Sequence, residues 1–215
     1  MDRRAFTSLA LSGLTWPLIS RPAAAALDAR ELAREVERAH SAVQSYRAKF
    51  KQRDQIFRQE KGGTVWFERP NKLSFNYDNG NRVVSDGRTV QIYERANEQV
   101  YVRPVARVMF PVWLSFLTEQ SGFTQSYGWR LLSPAHAKYA KGHVLSGTPL
   151  RPSTVFRQAL YYMDGKTFHV RRVVVEDHQH NRARLDFDAA VLNPKLGPDT
   201  FSFEPPPTPR VHPAP

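Results

Sequence analysis

Two carboxylates and two histidines within five consecutive residues come nearest, in this sequence, to a metal-binding group. They form the stretch Glu176-Asp177-His178-Gln179-His180. On a β-strand Glu176, His178 and His180 would share one face, and two imidazoles with a carboxylate are suitable zinc ligands. However, the stretch lies between two predicted strands, where the chain needs a turn. The sequence therefore favours an exposed polar turn, with a metal site as the alternative.

The remaining reactive side chains match no catalytic pattern. The sequence has no glycine-rich phosphate loop, no nucleophile elbow and no cysteine. Glu68, Asp78 and Glu94 show no pairing of the kind that acid–base catalysis uses. We therefore predict a protein that is not an enzyme and that uses no cofactor and no metal.

The N-terminus has the features of an export signal. Arg3 and Arg4 precede a mostly apolar run from Ala5 to Ile19, and small residues follow it up to a predicted cleavage site after Ala26. The arginine pair also fits a twin-arginine signal, so the Sec and twin-arginine routes both stay open. Because a membrane span needs about 20 apolar residues, we predict that residues 1–26 are removed and that the protein is periplasmic. A retained membrane anchor is the alternative.

The absence of cysteine also bears on attachment to membranes and on stability. A bacterial lipoprotein needs a cysteine after its signal to receive acyl chains, so we predict that this chain is not acylated. Without disulfides in an oxidising compartment, the fold must rely on its hydrophobic core. The length after residue 26 is sufficient for one domain with such a core.

The formal net charge of +11 favours a nucleic acid, an acidic partner or an anionic membrane. Export argues against nucleic acid. Arg47, Lys49, Lys51 and Arg53 alternate along one predicted strand and therefore share a face. Both a solvated sheet face and a docking surface would explain this basic stripe.

The residues from Asp28 to Gln44 are predicted to form a helix. Asp28 is the predicted N-cap and Glu31 completes a capping box. Its apolar residues recur at helical spacing. A second short helix is predicted over Phe110–Leu117, with Pro111 in its first turn, where a missing N–H is harmless.

Period-2 alternation of apolar and polar residues predicts about a dozen strands. They are Tyr46–Gln59, Gly63–Arg69, Lys72–Asp78, Asn81–Ser85, Thr89–Glu94, Gln99–Arg103, Gly128–Leu132, His143–Gly147, Phe156–Met163, Thr167–Glu176, Ala183–Ala190 and Thr200–Phe203. Asp86-Gly87 and Asp164-Gly165 are predicted hairpin tips. Residues Pro205 to Pro215 contain six prolines and are predicted to form an extended tail.

Such a meander predicts a mainly β fold: a single strongly curved antiparallel sheet, with the helices packed on its concave face or its rim. Residues of equal parity on the second and third strands are predicted to point inward: Val65, Phe67, Arg69, Leu73, Phe75 and Tyr77. A solid core and an apolar cavity use the same residue types, so the periodicity alone leaves both open.

Several motifs, taken in order, resemble the periplasmic outer-membrane lipoprotein carrier (LolA-like) family. The motifs are Tyr46-Arg-Ala-Lys-Phe-Lys-Gln52, Gly63-Thr-Val-Trp-Phe-Glu-Arg-Pro-Asn-Lys-Leu-Ser-Phe-Asn-Tyr77, Val84-Ser-Asp-Gly87 and Phe201-Ser-Phe-Glu-Pro-Pro206. The resemblance covers residues 27–204, with 127–155 matched by position only. It implies a half-open barrel with a helical lid and an apolar cavity between them.

The resemblance also implies which residues hold a ligand. The acyl-chain cavity would be lined by Val65, Phe67, Leu73, Phe75 and Tyr77 of the sheet and by Trp113, Leu114, Phe116 and Leu117 of the lid. Arg69, in the matching Arg-Pro-Asn step, would donate hydrogen bonds to the lid backbone and hold the cavity shut without cargo. An arginine at a strand end that extends into water is the alternative.

The function implied by the resemblance is that of a soluble, monomeric periplasmic carrier. It would bind the acyl chains of lipoproteins released from the inner membrane by a lipoprotein-releasing transporter and deliver them to the outer membrane. An outer-membrane acceptor and transient contact with the membrane surface belong to that picture. The alternatives are a sensor or accessory protein of the same fold, and a carrier of another envelope lipid or acylated compound.

Overall fold

A computed structural model describes residues 28–55, 59–108, 110–118, 122–133, 135, 138–204 and 210–212. The predicted export signal, residues 1–26, and most of the proline-rich tail lie outside these residues. Within them the fold is mainly β, as predicted, and it is built on one sheet.

The described strands form a single open sheet in the order β12-β6-β5-β4-β3-β2-β1-β11-β10-β9-β8-β7. The strands are β1 (Ser45–Asp54), β2 (Glu60–Glu68), β3 (Lys72–Tyr77), β4 (Arg82–Ser85), β5 (Thr89–Glu94), β6 (Gln99–Pro104), β7 (Tyr127–Leu132), β8 (Gly142–Pro149), β9 (Gln158–Asp164), β10 (Val170–Glu176), β11 (Arg182–Leu192) and β12 (Arg210–His212). All neighbours are antiparallel except β12, which runs parallel to β6.

The helices of the described chain all lie outside the sheet. They are α1 (Ala29–Ser41), α2 (Phe110–Trp113), α3 (Ser115–Thr118) and α4 (Phe123–Ser126). Helix α1 packs against α3, α4, β7 and β8. Among the described helices, none combines the length and the apolar character that crossing a bilayer would require.

The start of α1 confirms the predicted cap, because the Asp28 carboxylate accepts the backbone N–H of Glu31 at 2.7 Å. The carboxylate of Glu31 pairs with arginines of the same helix instead of closing the capping box. The helix ends at Ser41, before the predicted end. There the side-chain oxygen of Asn193 accepts the backbone N–H of Gln44 at 2.7 Å and draws the chain into β1.

The side chains of strand β1 alternate between the two faces of the sheet. Tyr46, Ala48 and Phe50 are at most 2% exposed on the concave face. The basic stripe, Arg47, Lys49, Lys51 and Arg53, is exposed on the convex face, so its predicted placement on one face is confirmed. The core of the molecule lies between the concave face and the helices.

Most predicted strands overlap observed ones, and the differences concern their ends. Strand β1 stops at Asp54, whereas the prediction ran to Gln59 through residues 56–58, which lie outside the described chain. The strand predicted at Thr200–Phe203 is wrong. That segment contains a 3₁₀ turn over Pro198–Phe201 and packs on the convex face, where the Phe203 ring lies 5.2 Å from that of Tyr93.

The tail and the second helix also differ from the prediction. Residues Arg210–His212 form β12 and pair with Gln99–Tyr101 of β6. Part of the predicted extended tail therefore belongs to the sheet. The predicted single helix over Phe110–Leu117 is two one-turn helices, with Leu114 outside both. The Leu114 carbonyl accepts the backbone N–H groups of Leu117 and Thr118, which close the turn of α3. Helix α4 was not predicted.

Candidate functional site

The concave face of β2 and β3 carries the five sheet residues predicted to line an acyl-chain cavity. Val65 pairs with Phe75 and Phe67 pairs with Leu73 across the two strands. Each of these four side chains is at most 1% exposed, and Tyr77 is 9% exposed. The predicted parity therefore brings the five residues into one apolar wall.

The predicted lid residues lie over this wall. Trp113, Leu114, Phe116 and Leu117 are at most 3% exposed and belong to the same apolar cluster as the wall. The Trp113 ring lies 6.2 Å from that of Phe75. The structure thus brings together all nine predicted cavity residues, while their role towards a ligand stays a prediction.

The segment formed by α2 and α3 reaches across the sheet beyond the predicted wall. The Phe116 ring meets Tyr46 of β1 at 6.3 Å and Phe187 of β11 at 5.8 Å. One residue earlier, the Ser115 hydroxyl and the Tyr161 hydroxyl of β9 form a hydrogen bond of 2.6 Å. The lid is consequently anchored on strands from both halves of the sheet.

Several large aromatic residues of the site were absent from the predicted set. Phe50 packs edge-on against Phe75 at 5.2 Å and Tyr77 at 5.0 Å. Phe123 of α4 lies 5.1 Å from Tyr161, edge to face. The alternation on β1 and β9 gave the signal for Phe50 and Tyr161, because both share parity with buried neighbours. No comparable signal marked Phe123, which lies on a single helical turn.

The buried tyrosine hydroxyls of this cluster differ in their hydrogen bonds. The Tyr77 hydroxyl donates to the side-chain oxygen of Gln52 at 2.7 Å. The hydroxyl of Tyr46 is buried and finds no hydrogen-bond partner among the described residues. Burial raises the pKa of both Tyr46 and Tyr77. A buried polar group without a partner destabilises the state that buries it.

Arg69 has a different partner from the predicted one. Its Nε donates to the Val43 carbonyl at 2.6 Å, and a terminal nitrogen donates to the His40 carbonyl at 3.3 Å. The His40 carbonyl belongs to the last turn of α1 and the Val43 carbonyl follows the helix, so the described contacts tie the end of β2 to α1 and not to α2 or α3. The guanidinium carbon also lies 5.9 Å from the centre of the Phe67 ring. Because these contacts fix its side chain, the simple alternative of an arginine extended into water does not describe Arg69.

His40 connects the end of α1 to the lid. Its ring is 2% exposed and lies 4.9 Å from the Phe116 ring and 5.3 Å from the His169 ring. Nδ1 lies 2.9 Å from the Val36 carbonyl, which suits a neutral ring that donates from this nitrogen. Burial, together with the nearby charges of His169 and Arg69, lowers the pKa of His40 to about 4. No pattern in the sequence marked this residue.

In the stretch considered for metal binding, residues 177–180 form the favoured polar turn, whereas Glu176 ends strand β10. Glu176, only 4% exposed, accepts hydrogen bonds from Arg157, Arg182 and Gln158 and lies 3.0 Å from Nδ1 of His180. Burial alone would raise the pKa of Glu176, but the hydrogen bonds hold it below its usual value. Within the described residues, no group of three or more ligating side chains is placed to hold a metal ion.

The sequence matches the family described as outer membrane lipoprotein carrier protein LolA over residues 41–204. An outer-membrane lipoprotein carrier protein from Chromohalobacter salexigens is 28% identical over 149 residues, which are 68% of each chain. Among solved structures, an uncharacterized conserved protein from Thermus thermophilus aligns with a TM-score of 0.53 and 15% identity, covering 86% of this chain and 98% of that one. A LolA superfamily protein from Nitrosomonas europaea aligns with a TM-score of 0.46 and 13% identity over 83% of this chain and 99% of that one.

The fold is thus that of a lid-covered open sheet with an apolar concave face. Since the family match spans most of the chain and includes the whole wall and lid, the chain belongs to the outer membrane lipoprotein carrier (LolA) family.

Proposed function

We propose that this protein is a soluble periplasmic carrier that shields the acyl chains of lipoproteins between its sheet and its lid. On this proposal it takes them from an inner-membrane lipoprotein-releasing transporter and delivers them to the outer membrane, acting as a monomer, with an outer-membrane acceptor or the membrane surface receiving the cargo. It performs no chemical reaction and needs no cofactor. The family and the Chromohalobacter relative support this assignment.

The observation that carries the proposal is the continuity of the apolar cluster from the sheet to the helices. Side chains of β2, β3, α2 and α3 share one cluster without a charged group among the nine predicted cavity residues. Each methylene removed from water contributes about 0.8 kcal/mol, so an acyl chain in water is unfavourable by on the order of 10 kcal/mol. An apolar layer between two separable elements meets that requirement.

The lid must move for an acyl chain to enter. The wall residues of β2 and β3, Tyr77 excepted, are at most 1% exposed beneath it. Helices α2 and α3 are one turn each, which makes them poor cooperative units on their own. We propose that Phe116 and Trp113 withdraw from Tyr46, Phe187 and Phe75 and that acyl chains take their place.

Within this proposal Arg69 acts on the lid through α1. Its hydrogen bonds hold the end of the helix that carries His40, and the His40 ring contacts Phe116 of the lid. Arg69 is therefore a positioning residue that favours the closed, empty form, and its loss would favour the open form.

Contact between an acyl chain and the lid can be tested with a peptide that carries a brominated acyl chain, because bromine quenches tryptophan fluorescence at contact distance. Trp113 lies in the lid, whereas Trp66 lies on a strand with its side chain away from the buried wall. We expect the labelled peptide to quench Trp113 and to remain in solution as a one-to-one complex. The Trp113→Phe variant should keep binding and lose most of the quenching.

Two results would contradict the proposal. One is quenching that persists in Trp113→Phe and disappears in Trp66→Phe, which would place the acyl chain on the other face. The other is an acylated lipoprotein that stays in membrane fractions however much of the protein is added. The same peptide without its acyl chain is the matched control and should not bind.

A further inference from the structure

The convex face carries a groove of about 670 Å³ on the opposite side of the sheet from the lid. It runs along β1, β11 and β10, and residues 138–141, which precede β8, also line it. Lys51 lies opposite Asp186 on β11, and Asp186 lies opposite Arg172 on β10. These residues alternate with buried residues such as Phe50 and Leu185, so the groove is separated from the apolar cluster by the thickness of the sheet.

Basic residues dominate the lining of this convex groove. They are Lys51, Arg53, Lys138, Lys141, Arg171, Arg172 and Arg184. The acidic residues are Asp164, Asp186 and Asp188. The positive charges therefore exceed the negative ones by four.

Two of the three carboxylates of the groove are already engaged. Asp186 accepts from Arg172 Nε at 2.5 Å and from two nitrogens of Arg184 at 2.6 and 2.9 Å. Asp164 accepts backbone N–H groups in its own turn, whereas Asp188 is exposed and lies opposite Lys49 in the β1–β11 pairing. The groove thus has few acceptors left for its remaining cations.

Four basic side chains of the groove form no salt bridge with any residue that the structure describes. They are Lys51, Lys138, Lys141 and Arg171. Repulsion among unpaired like charges is relieved by an anion. This excess charge is the first observation that points to a ligand.

The second observation is the way Arg172 is held. Its guanidinium carbon lies 5.1 Å from the centre of the Tyr162 ring, and Tyr139 packs edge-on against Tyr162 at 5.3 Å. With Nε committed to Asp186, no described residue accepts a hydrogen bond from its two terminal nitrogens. An arginine fixed in this way offers a preorganised fork, which is the geometry that phosphate groups recruit. Tyrosine beside it suits a surface that is partly apolar and partly wet.

We propose that this convex groove binds the phosphate headgroups of anionic phospholipids and so docks the protein on a membrane surface. Planar recognition by Arg172, surrounded by flexible lysines and tyrosine rings, favours phosphate over the dispersed carboxylates of an acidic protein. The inference does not depend on what the concave face carries, because the groove and the apolar cluster lie on opposite faces of the sheet. A carrier docked in this way would keep its lid on the face away from the groove.

The test compares two triple variants with the same change of charge. Lys51→Gln/Lys141→Gln/Arg171→Gln removes three exposed charges from the groove, and Arg30→Gln/Arg88→Gln/Arg95→Gln removes three exposed charges elsewhere. Flotation with vesicles of phosphatidylglycerol and phosphatidylcholine measures binding at low salt, with thermal melting as the check on folding. Each basic residue near an anionic surface contributes about 1 kcal/mol, so the groove variant should bind on the order of a hundredfold more weakly. The control variant should lose only a few-fold.

Each of four other results would overturn the proposal. Equal losses in both variants would show that net charge alone drives binding. Equal binding to pure phosphatidylcholine would remove the need for an anionic headgroup. Displacement from vesicles by low-millimolar inorganic phosphate would make the groove a site for free phosphate. Loss of poly-glutamate binding with unchanged vesicle binding in the groove variant would assign the surface to an acidic protein.

Discussion

The two faces of the central strands use alternate residues of the same sequence and reach opposite states. On the concave face, Phe50 and Phe187 are 2% exposed and meet other rings edge to face. On the convex face, Lys51 and Arg172 lie in an open groove with a surplus of positive charge. The side chains of the concave face are covered by other described residues, whereas the convex groove keeps an excess of positive charge. On the two proposals made above, a moving lid would uncover the concave face and anionic headgroups would cover the convex groove.

The largest change in the free energy of unfolding is expected from placing a charge on the concave wall. Leu73→Glu buries a carboxylate where the wild-type side chain is 1% exposed, so we expect a loss of about 4–5 kcal/mol in the free energy of unfolding. Thr64→Glu is the convex control. Its side chain would face Lys49, whose Nζ now donates to Thr64 Oγ1, so the change should stay within about 0.5 kcal/mol. Denaturant unfolding measures both, and a Leu73→Glu variant that melts like the wild type would show that the wall reaches water.

A smaller effect is expected from removing the tie between β2 and α1. Arg69→Leu deletes two hydrogen bonds from a charged donor. One such bond contributes about 1.5–3 kcal/mol, and losing that much from the closed form alone shifts the balance towards the open form by about tenfold or more. Loading from a donor membrane should stay normal, because the wall remains, while delivery to an acceptor should slow. Arg69→Lys keeps the charge but not the planar fork of donors, so its rate of delivery should lie between those of the wild type and Arg69→Leu. If loading and delivery are unchanged in Arg69→Leu, this arginine stabilises the fold but does not act on the lid.

The buried imidazole makes the concave side sensitive to acid. Because the pKa of His40 is about 4 in the folded protein and 6.5 when exposed, the unfolded chain takes up the proton first as the pH falls. Stability is therefore unaffected by this group above about pH 6.5 and declines below it, by about 2 kcal/mol between pH 7 and pH 5. His40→Leu should remove that part of the pH dependence, as seen in denaturant unfolding at the two pH values. An equal pH slope in wild type and variant would contradict the assignment.

The smallest expected effects separate two tyrosines of the same face. Tyr46→Phe removes a buried hydroxyl that lacks a partner among the described residues, so it should stabilise the protein by about 1 kcal/mol. Tyr161→Phe removes the hydroxyl bonded to Ser115 of the lid and should destabilise it by about 1 kcal/mol. Opposite shifts of the melting temperature are the expected result, and shifts of the same sign would contradict it.

The sequence predicted those features that depend on local pattern. The bounds of β5 (Thr89–Glu94) match the prediction, and Asp28 caps α1 as expected. The inward parity of Val65 through Tyr77 follows from alternation, which the chain preserves because no bulge interrupts β2 or β3. These features are set by neighbours along the chain and therefore can be found without the fold.

Features that depend on distant partners were mispredicted or missed. Arg69 was predicted to end the second strand and to donate to the lid. It lies just after β2, and its acceptors, the carbonyls of His40 and Val43, are fixed by how α1 packs. Phe201 and Phe203 alternate like a strand, yet they cover the convex face, where Lys72 lies over the Phe201 ring. The periodicity could show that these residues pack but not against which surface.

The parallel strand β12 gives the two borders of the sheet unequal exposure to other polypeptides. Unpaired N–H and C=O groups along a border recruit foreign strands and promote aggregation, and Arg210–His212 occupy those of β6. At the opposite border lies β7, with Leu131 39% exposed and Leu150 of the adjoining loop 65% exposed. A strand from another chain that adds to this sheet therefore finds a longer border along β7, with six residues, than along β12, with three.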